Sequence, residues 1–528
     1  MFILPPMNQK QGEIMTIEKI RQGRIGALRA VAIAAATIVL MPLAAHAGKA
    51  NDTLNIAWER EQATLDYYFQ NSREGIIINR HIFDNLLFQD PVTGEFKGLL
   101  AQSYQVVDDQ TFEFVIRKGV KFHDGTELTV DDVIGTIDFV TRPGTGKIQS
   151  RPVDWIDRAE KVGPDTVRIH AKQTTPLALL YLAADVPIYP KAYYDKVGPE
   201  GMGVKPIGTG PYKVTEVQPG KKIVFEKNTS YFAGSPKGQP TIGKIIQRTI
   251  PDVNTQIVEL ASGTLDWIFK VPADQAEKVT SLPNILVKDA STMRFGYLTF
   301  DAAGKSGKNP FQDVRVRRAV AHAIDRKAIA DNIVRDGSKI INAACYPSQF
   351  GCTDDVPSYD FNVAKAKALM AEAGYPNGFE TEIYAYRDRN YLEPMIGNLA
   401  AIGIKTDLRY GKYAATRDAI RGGKVPFAFM TWGSGSVPDA DASVSVFFGG
   451  QADDTSMDTD VQKWLVEASS TMKADVRKAA YHKAFNRIAE QAYWVPLFTY
   501  PTNYVMSKDL DWTPTEDEIP RFFTARWK

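Results

Sequence analysis

Residues Phe112 to Val140, FEFVIRKGVKFHDGTELTVDDVIGTIDFV, leave the backbone little choice. Phe112, Phe114 and Ile116 alternate with Glu113, Val115 and Arg117, the period of two that marks a half-buried strand. His123-Asp124-Gly125 has the residue chemistry of a tight turn. Thr129 stands three residues before Asp132, the spacing of a reciprocal helix cap, and Val130, Val133, Ile134 and Ile137 follow on one helical face. Strand, turn and capped helix are each expected here, and none of these residues suggests catalysis.

The chain has 528 residues, more than one ordinary core holds, so two or three domains are expected. Its hydrophobic (44%) and charged (24%) fractions are those of a globular protein, neither disordered nor a membrane bundle. Formal net charge is +1; the first 47 residues carry +3 of it, leaving −2 for the rest. Nucleic acid is therefore not an expected partner, because that affinity rests on many phosphate contacts.

Lys19, Arg21, Arg24 and Arg29 precede the apolar run Ala30 to Ala44, and Ala45-His46-Ala47 has the small-x-small pattern of a cleavage site. A secretory signal peptide over residues 1–47 is expected, with cleavage after Ala47 and translation starting at Met1, Met7 or Met15. The run is shorter than the ~20 apolar residues that span a bilayer, although an anchor is the alternative. Cys345 and Cys352 are the two cysteines. In an exported chain they favour a disulfide, with free thiols or metal ligation as the alternatives.

Enzyme motifs fail. Gly304-Lys305-Ser306 has the tail of a phosphate loop, but Thr299 stands where the first glycine is required. Gly433-Ser434-Gly435-Ser436 lacks the order of a nucleophile elbow. The histidines His46, His81, His123, His170, His322 and His482 are dispersed. No catalytic residue, metal site or cofactor is expected.

Several spaced motifs carry a resemblance. They are Leu100-Ala101-x-Ser103-Tyr104, Arg117-Lys118-Gly119-Val120-Lys121-Phe122-His123-Asp124-Gly125, Leu128-Thr129-x-x-Asp132-Val133 and Ile207-Gly208-Thr209-Gly210-Pro211-Tyr212. Pro310-Phe311-x-Asp313-Val314-Arg315-Val316-Arg317-Arg318-Ala319, Ala323-Ile324-Asp325-Arg326 and Ala373-Gly374-Tyr375-Pro376 follow in order. Together they resemble the family 5 bacterial extracellular solute-binding proteins, receptors of dipeptide, oligopeptide and nickel ABC importers. The resemblance implies an α/β fold of the periplasmic-binding-protein type II kind, with two hinged lobes and an inserted domain. It implies domain I from residues 48–88, 207–293 and 496–528, domain II from 89–206 and domain III from 294–495. It further implies a monomeric periplasmic receptor, not an enzyme, that delivers small peptides or peptide-like solutes to membrane permease subunits with a separate ATPase. An opine-like, glycosidic or metal-chelate ligand is the alternative.

A ligand is expected in the interdomain cleft. The segment Phe429 to Asp441 reads as a strand ending at Trp432 and opening into a glycine–serine loop. Trp432 offers apolar area and an indole donor, although core packing is its bland alternative. Gly433, Ser434 and Gly435 offer backbone donors. Peptide-binding relatives commonly carry an aspartate in that loop to pair with the ligand's amino terminus. Here no acid occurs before Asp439, which is the candidate substitute. Arg387 and Arg389, after a strand end, are candidates for carboxylate recognition, with solvation as their alternative. Asn71, Phe295 and Tyr297 complete the expected set. Arg315, Arg317 and Arg318 read as an ion-paired helix face rather than an anion clamp.

Overall fold

The computed structural model describes residues 48–70, 72–148 and 151–528; the expected signal peptide and its cleavage site lie outside them. Among the described residues no helix is long and apolar enough to cross a membrane. The described residues, from Gly48 on, pack as one compact unit.

Ten strands form one mixed sheet. From one edge they run Ile404–Tyr410, Phe379–Ala385, Phe427–Trp432, Ile285–Phe300, Trp494–Ser507, Trp267–Phe269, Thr53–Trp58, Lys244–Thr249, Lys222–Lys227 and Tyr212–Gln218. The two central strands are far longer than the rest and pair antiparallel along nearly their whole length. Ile285–Ser291 opposes Ser507–Pro501, and Phe295–Thr299 opposes Thr499–Trp494, with the register broken between. At the break the Met293 N–H leaves the ladder and donates to the Glu516 carbonyl at 2.9 Å. Apolar residues on the two sides of the break belong to different cores. Leu54, Ile56 and Trp267 pack on one side, and Leu298, Phe300 and Phe427 on the other.

A separate four-stranded antiparallel sheet holds Ala101–Asp108, Thr111–Ile116, Thr166–Ala171 and Ile156–Lys161 in that order. Its second strand alternates as the sequence predicts, with Phe112, Phe114 and Ile116 buried. The helix Val130–Thr141 covers it, burying Val130, Val133, Ile137 and Val140. Asp132 accepts from the Thr129 N–H at 2.9 Å and from its hydroxyl at 2.8 Å, so the expected cap partners do meet.

Two of the sequence motifs touch. The His123 N–H donates to the Gly208 carbonyl at 2.8 Å, and the His123 ring contacts the Gly210 carbonyl at 3.0 Å and the Gly208 N–H at 3.3 Å. Burial keeps this ring neutral, pulling its pKa down to about 4. A Cβ at Gly208 would stand 2.2 Å from the Ile82 carbonyl, and one at Gly210 2.4 Å from that of His81. Only glycine permits this approach to the helix end.

The sequence predicts helical spacing over Ile76–Phe88. The helix instead runs Arg73–Ile82, with Ser72 accepting from the Gly75 N–H, and Leu87–Gln89 pairs as a strand with Phe96–Gly98. The chain leaves the helix where Asp84 turns inward to meet Lys237 at 2.6 Å and the Thr209 hydroxyl at 3.1 Å. Arg315, Arg317 and Arg318 form no anion clamp. Arg317 is buried and donates to the carbonyls of Phe311, Gln312 and Gln491, while Arg318 donates to that of Glu490.

Cys345 and Cys352 are joined in a disulfide. Replacing both by serine opens an eight-residue loop, for which the chain-entropy relation gives a loss of roughly 2.5 kcal/mol. Urea unfolding of C345S/C352S against the parent measures it.

Candidate functional site

A cavity of about 300 Å³ lies beside the register break of the long strands, where Met293 forms part of its lining. Its wall on the first lobe is the face of the helix Arg73–Ile82 that carries Ile76, Asn79 and Arg80, with Phe83 just beyond. Those positions are i, i+3, i+4 and i+7, one side of a helix. The small four-stranded module contributes the end of the helix Ala178–Ala184 and Asp185, and the hairpin turn 89–94 adds Val92. The Gly435–Pro438 loop and the segment 516–523 close the remaining sides.

Polar contacts hold these walls together. The Ser436 hydroxyl donates to the Asp517 carbonyl and accepts from Arg73. Arg73 also donates to the Asp517 carbonyl at 3.1 Å and pairs with Glu518 at 3.4 Å. Arg294 approaches Glu518 at 3.7 Å, and the Thr502 hydroxyl donates to it at 3.1 Å. Burial opposes ionisation of Glu518, but the Arg294, Arg73 and Lys270 charges outweigh it and hold the carboxyl below its usual range. Arg151 of the small module pairs with Asp441 at 2.7 Å, a second contact between parts of the chain far apart in sequence.

Four ionic groups at the cavity, Arg80, Asp185, Asp517 and Arg521, are paired within the protein, and Glu516 also lines it. Asp185 accepts from the Tyr67 hydroxyl at 2.6 Å and lies 3.5 Å from Arg80. Burial raises the Asp185 pKa against the pull of Arg80. Arg521 pairs with Asp517 at 2.5 Å and donates to the Thr515 hydroxyl and the Ile519 carbonyl, each at 2.9 Å. Burial would raise the Asp517 carboxyl, but Arg521 outweighs it and the net shift is downward.

Behind Tyr67 lies a second carboxylate. Asp66 is fully buried and accepts from the Tyr189 and Tyr194 hydroxyls at 2.9 Å each and from the Tyr68 N–H at 3.0 Å. The Tyr189 hydroxyl in turn accepts from the Tyr67 N–H at 2.9 Å. Burial raises the Asp66 pKa to about 6 against these three donors.

The residues singled out from the sequence divide. Gly435 lines the cavity, as does Ser436 beside it. Trp432 does not; its indole N–H donates to the Ala442 carbonyl at 2.9 Å, and its ring meets Phe447 edge-on at 4.9 Å. A Cβ at Gly433 would stand 2.9 Å from the Arg294 guanidinium. Asp439 is not the substitute acid for a ligand ammonium. It is buried, bound to Arg477 at 2.8 Å and to the Tyr481 hydroxyl at 3.2 Å, because a buried carboxylate needs a counter-charge. Tyr297 is core, stacked on Trp494 at 3.5 Å, and Phe295 is fully buried beside it. Arg387 is held by Asp388 at 2.6 Å and lies over the Tyr500 ring. Arg389 pairs with Glu393 one turn along an exposed helix. Neither arginine lines the cavity. Asn71 lies outside the described residues, as does the side chain of Ser434. Asn79, Arg80, Asp185 and Arg521 were not anticipated; the signal for the first two was polar residues in the apolar-spaced slots between Ile76 and Phe83.

A cavity closed by segments from two lobes and an inserted module is an arrangement suited to a solute receptor. Comparison with known proteins makes the class specific. The family model for bacterial extracellular solute-binding proteins, family 5, middle region, matches residues 95–455. The chain belongs to that family, whose members are receptors of ABC importers. It is 27% identical to the "Heme-binding protein A" of Haemophilus influenzae, over 79% of this chain and 82% of the other. It is also 27% identical to the "Glutathione-binding protein GsiB" of Escherichia coli K12, over 85% and 89%. The solved structure of AgaA from A. tumefaciens R10, in complex with agropinic acid, is 26% identical and superposes with a TM-score of 0.73, covering 90% of this chain and 99% of the other. The three-domain, type II binding-protein architecture follows.

Two outcomes test the electrostatics. Asp439→Ala strands Arg477 without its carboxylate and costs about 3–5 kcal/mol in urea unfolding. Asp66 binds its proton near pH 6 in the fold but near 3.8 when unfolded. Its neutral form therefore contributes stability that is fully present below about pH 4 and lost as pH rises through about 6. At ~1.4 kcal/mol per unit, the Asp66→Asn variant gains about 3 kcal/mol on the parent between pH 4 and pH 7. Unfolding midpoints across that range check it.

Proposed function

We propose that this chain is a periplasmic receptor that captures a small peptide or peptide-like solute in the cavity described above. It then presents the closed form to membrane permease subunits driven by a separate ATPase. The observation that carries the reading is the cavity's composition. Arg80, Asp185, Asp517 and Arg521 bring both signs of charge to a space that also has apolar walls at Phe83, Leu180, Val437 and Phe523. A zwitterionic, amide-rich solute matches that mixture better than a purely anionic or purely apolar one. About 300 Å³ is the lower end of the roughly 300–1,000 Å³ range of small-molecule sites, which favours di- and tripeptide-sized solutes over extended chains.

In this reading residues 48–88, 207–293 and 496–528 build the first domain, 89–206 the inserted one and 294–495 the third. The register break of the long strands is the hinge. The mature chain begins after Ala47 and works as a monomer.

A specific observation favours a second reading, a non-peptide solute. No acidic side chain occurs from Gly433 to Val437, and Asp439 is committed to Arg477. The similarity to a protein bound to agropinic acid supports the same alternative.

Mass spectrometry of the solute released from the purified protein separates the two. Short peptides or glutathione support the first reading, and a single defined opine or sugar conjugate overturns it. Added back at 100 times its Kd, the true solute raises unfolding stability by about 2.7 kcal/mol.

A further inference from the structure

The charges that line the cavity are matched, with one left over. Arg80 lies 3.5 Å from Asp185, and Arg521 lies 2.5 Å from Asp517. Lys237 is met by Asp84 at 2.6 Å and Asp90 by Lys97 at 3.2 Å, both partners lying outside the lining. The remaining charged residue of the lining is Glu516. Its carboxylate has no hydrogen-bond or ion-pair partner among the described residues.

An exposed carboxylate without a partner is ordinary on an open surface, where water solvates it. Glu516 is exposed, but its backbone is anchored at the cavity. Its carbonyl accepts from the Met293 N–H at 2.9 Å, and the carbonyl of the next residue, Asp517, takes the Ser436 hydroxyl and Arg73. Met293 and Ser436 are themselves lining residues. The carboxylate lies beside the Tyr346 hydroxyl: burial, aided by the Glu516 charge, pushes that phenol up to about 12. Tyr346 begins the turn that carries Ser348, a further lining residue. Backbone and side chain of Glu516 thus both face parts of the cavity wall.

A solute ion brought to Arg80 or Arg521 competes with a carboxylate already in place. Glu516 has only water, and closure of the lobes around a solute removes it. A carboxylate that loses its water without gaining a counter-charge opposes closure. A solute that carries its own cation offsets that cost.

We propose that Glu516 is a specificity-determining carboxylate that takes a cationic group of the bound solute, the ammonium of a peptide-like one. This rests on the peptide-like reading above and deepens it. The amino terminus is directed toward the 346–349 turn and the 516–518 segment, and the same solute without its amine is held more weakly.

The test is calorimetric titration of wild type, Glu516→Gln and Glu516→Asp. The probes are L-alanyl-L-leucine, L-methionyl-L-leucine and reduced glutathione. Each is paired with its des-amino analogue, in which hydrogen replaces the ammonium (propanoyl-L-leucine for the first). The analogue is smaller than its parent, so weaker binding is not a matter of room. Wild type is expected to prefer the parent by about tenfold or more, the worth of a hydrogen bond to a charged group. E516Q keeps the size, removes the charge and brings the ratio to within about threefold by weakening the parent, whereas E516D retains the preference. A role in folding or in lobe closure alone changes parent and analogue together and leaves the ratio where it was. A wild-type ratio near one, or a ratio unchanged in E516Q, overturns the assignment of Glu516 while the peptide-like reading stands. Should E516Q not fold, Glu516→Ala supplies the same comparison. If no peptide binds wild type, the peptide-like reading falls and the assignment falls with it.

Discussion

The pairing of Ile285–Phe300 with Trp494–Ser507 is the constraint on which the rest of the molecule depends. Both strands run from one half of the ten-stranded sheet into the other, so the halves share a backbone ladder rather than a side-chain interface. The ladder is broken between Ser291 and Phe295, next to Pro501, which has no N–H to give, and its register shifts again between Phe295 and Tyr297. The Thr292 hydroxyl bonds the Tyr500 carbonyl at 2.5 Å, and Met293 bonds the 516–523 segment instead. A short stretch thus escapes the sheet while the strands on either side stay paired. Since the cores on the two sides are distinct, a small change in backbone angle there need not disturb the packing of either.

What spans the cavity mouth is polar and modest. Arg151–Asp441 and the Arg73–Ser436–Asp517 contacts are hydrogen bonds and ion pairs at partly solvated positions. Arg151 is the exposed member of the set, and a pair such as the one it makes contributes roughly 0–1 kcal/mol. These contacts orient the two walls without locking them, so a solute that adds a few hydrogen bonds contributes as much as the contacts already present. Arg80 with Asp185 and Arg521 with Asp517 neutralise one another at the cavity, which lowers the cost of closing around a solute there. Asp66 and its two tyrosines stiffen the base of Tyr67 from behind and leave its hydroxyl aimed at Asp185.

Much of the fold was legible because its signals are local. The strand Thr111–Ile116, the helix Val130–Thr141 and the first strand Thr53–Trp58 follow from alternation, spacing and capping within a few residues. The family resemblance has a structural reason too. The His123 turn and the Ile207–Tyr212 segment occur together because the ring of one is held between the Gly210 carbonyl and the Gly208 N–H of the other. The site was harder to read because its partners are remote. Asp439 is claimed by Arg477, 38 residues on, and Ser436 by Asp517, 81 residues on. A period of 3.6 reports neither. The helical spacing through Phe88 misled for the same reason: the ion pair that turns the chain at Asp84 is made with Lys237.

Trp432 shows how a sequence signal can mark a loop while its own residue packs away from the cavity. Its indole N–H ties the end of the strand Phe427–Trp432 to the Ala442 carbonyl, and Asp439 ties the far end of the loop to Arg477. Between those anchors Gly435 adopts a φ of 61°, which glycine tolerates at no steric cost. The five residues Gly433 to Val437 are therefore suspended from two buried attachments, and their reach is set by the attachments rather than by their own side chains. What the loop delivers to the cavity is Ser436, placed against Arg73 of the first lobe. An aspartate in this loop would bring a second charge to a contact that Glu518 already balances for Arg73 and Arg294. The neutral loop is thus matched to the arginines beneath it, whose charge Glu518 already meets.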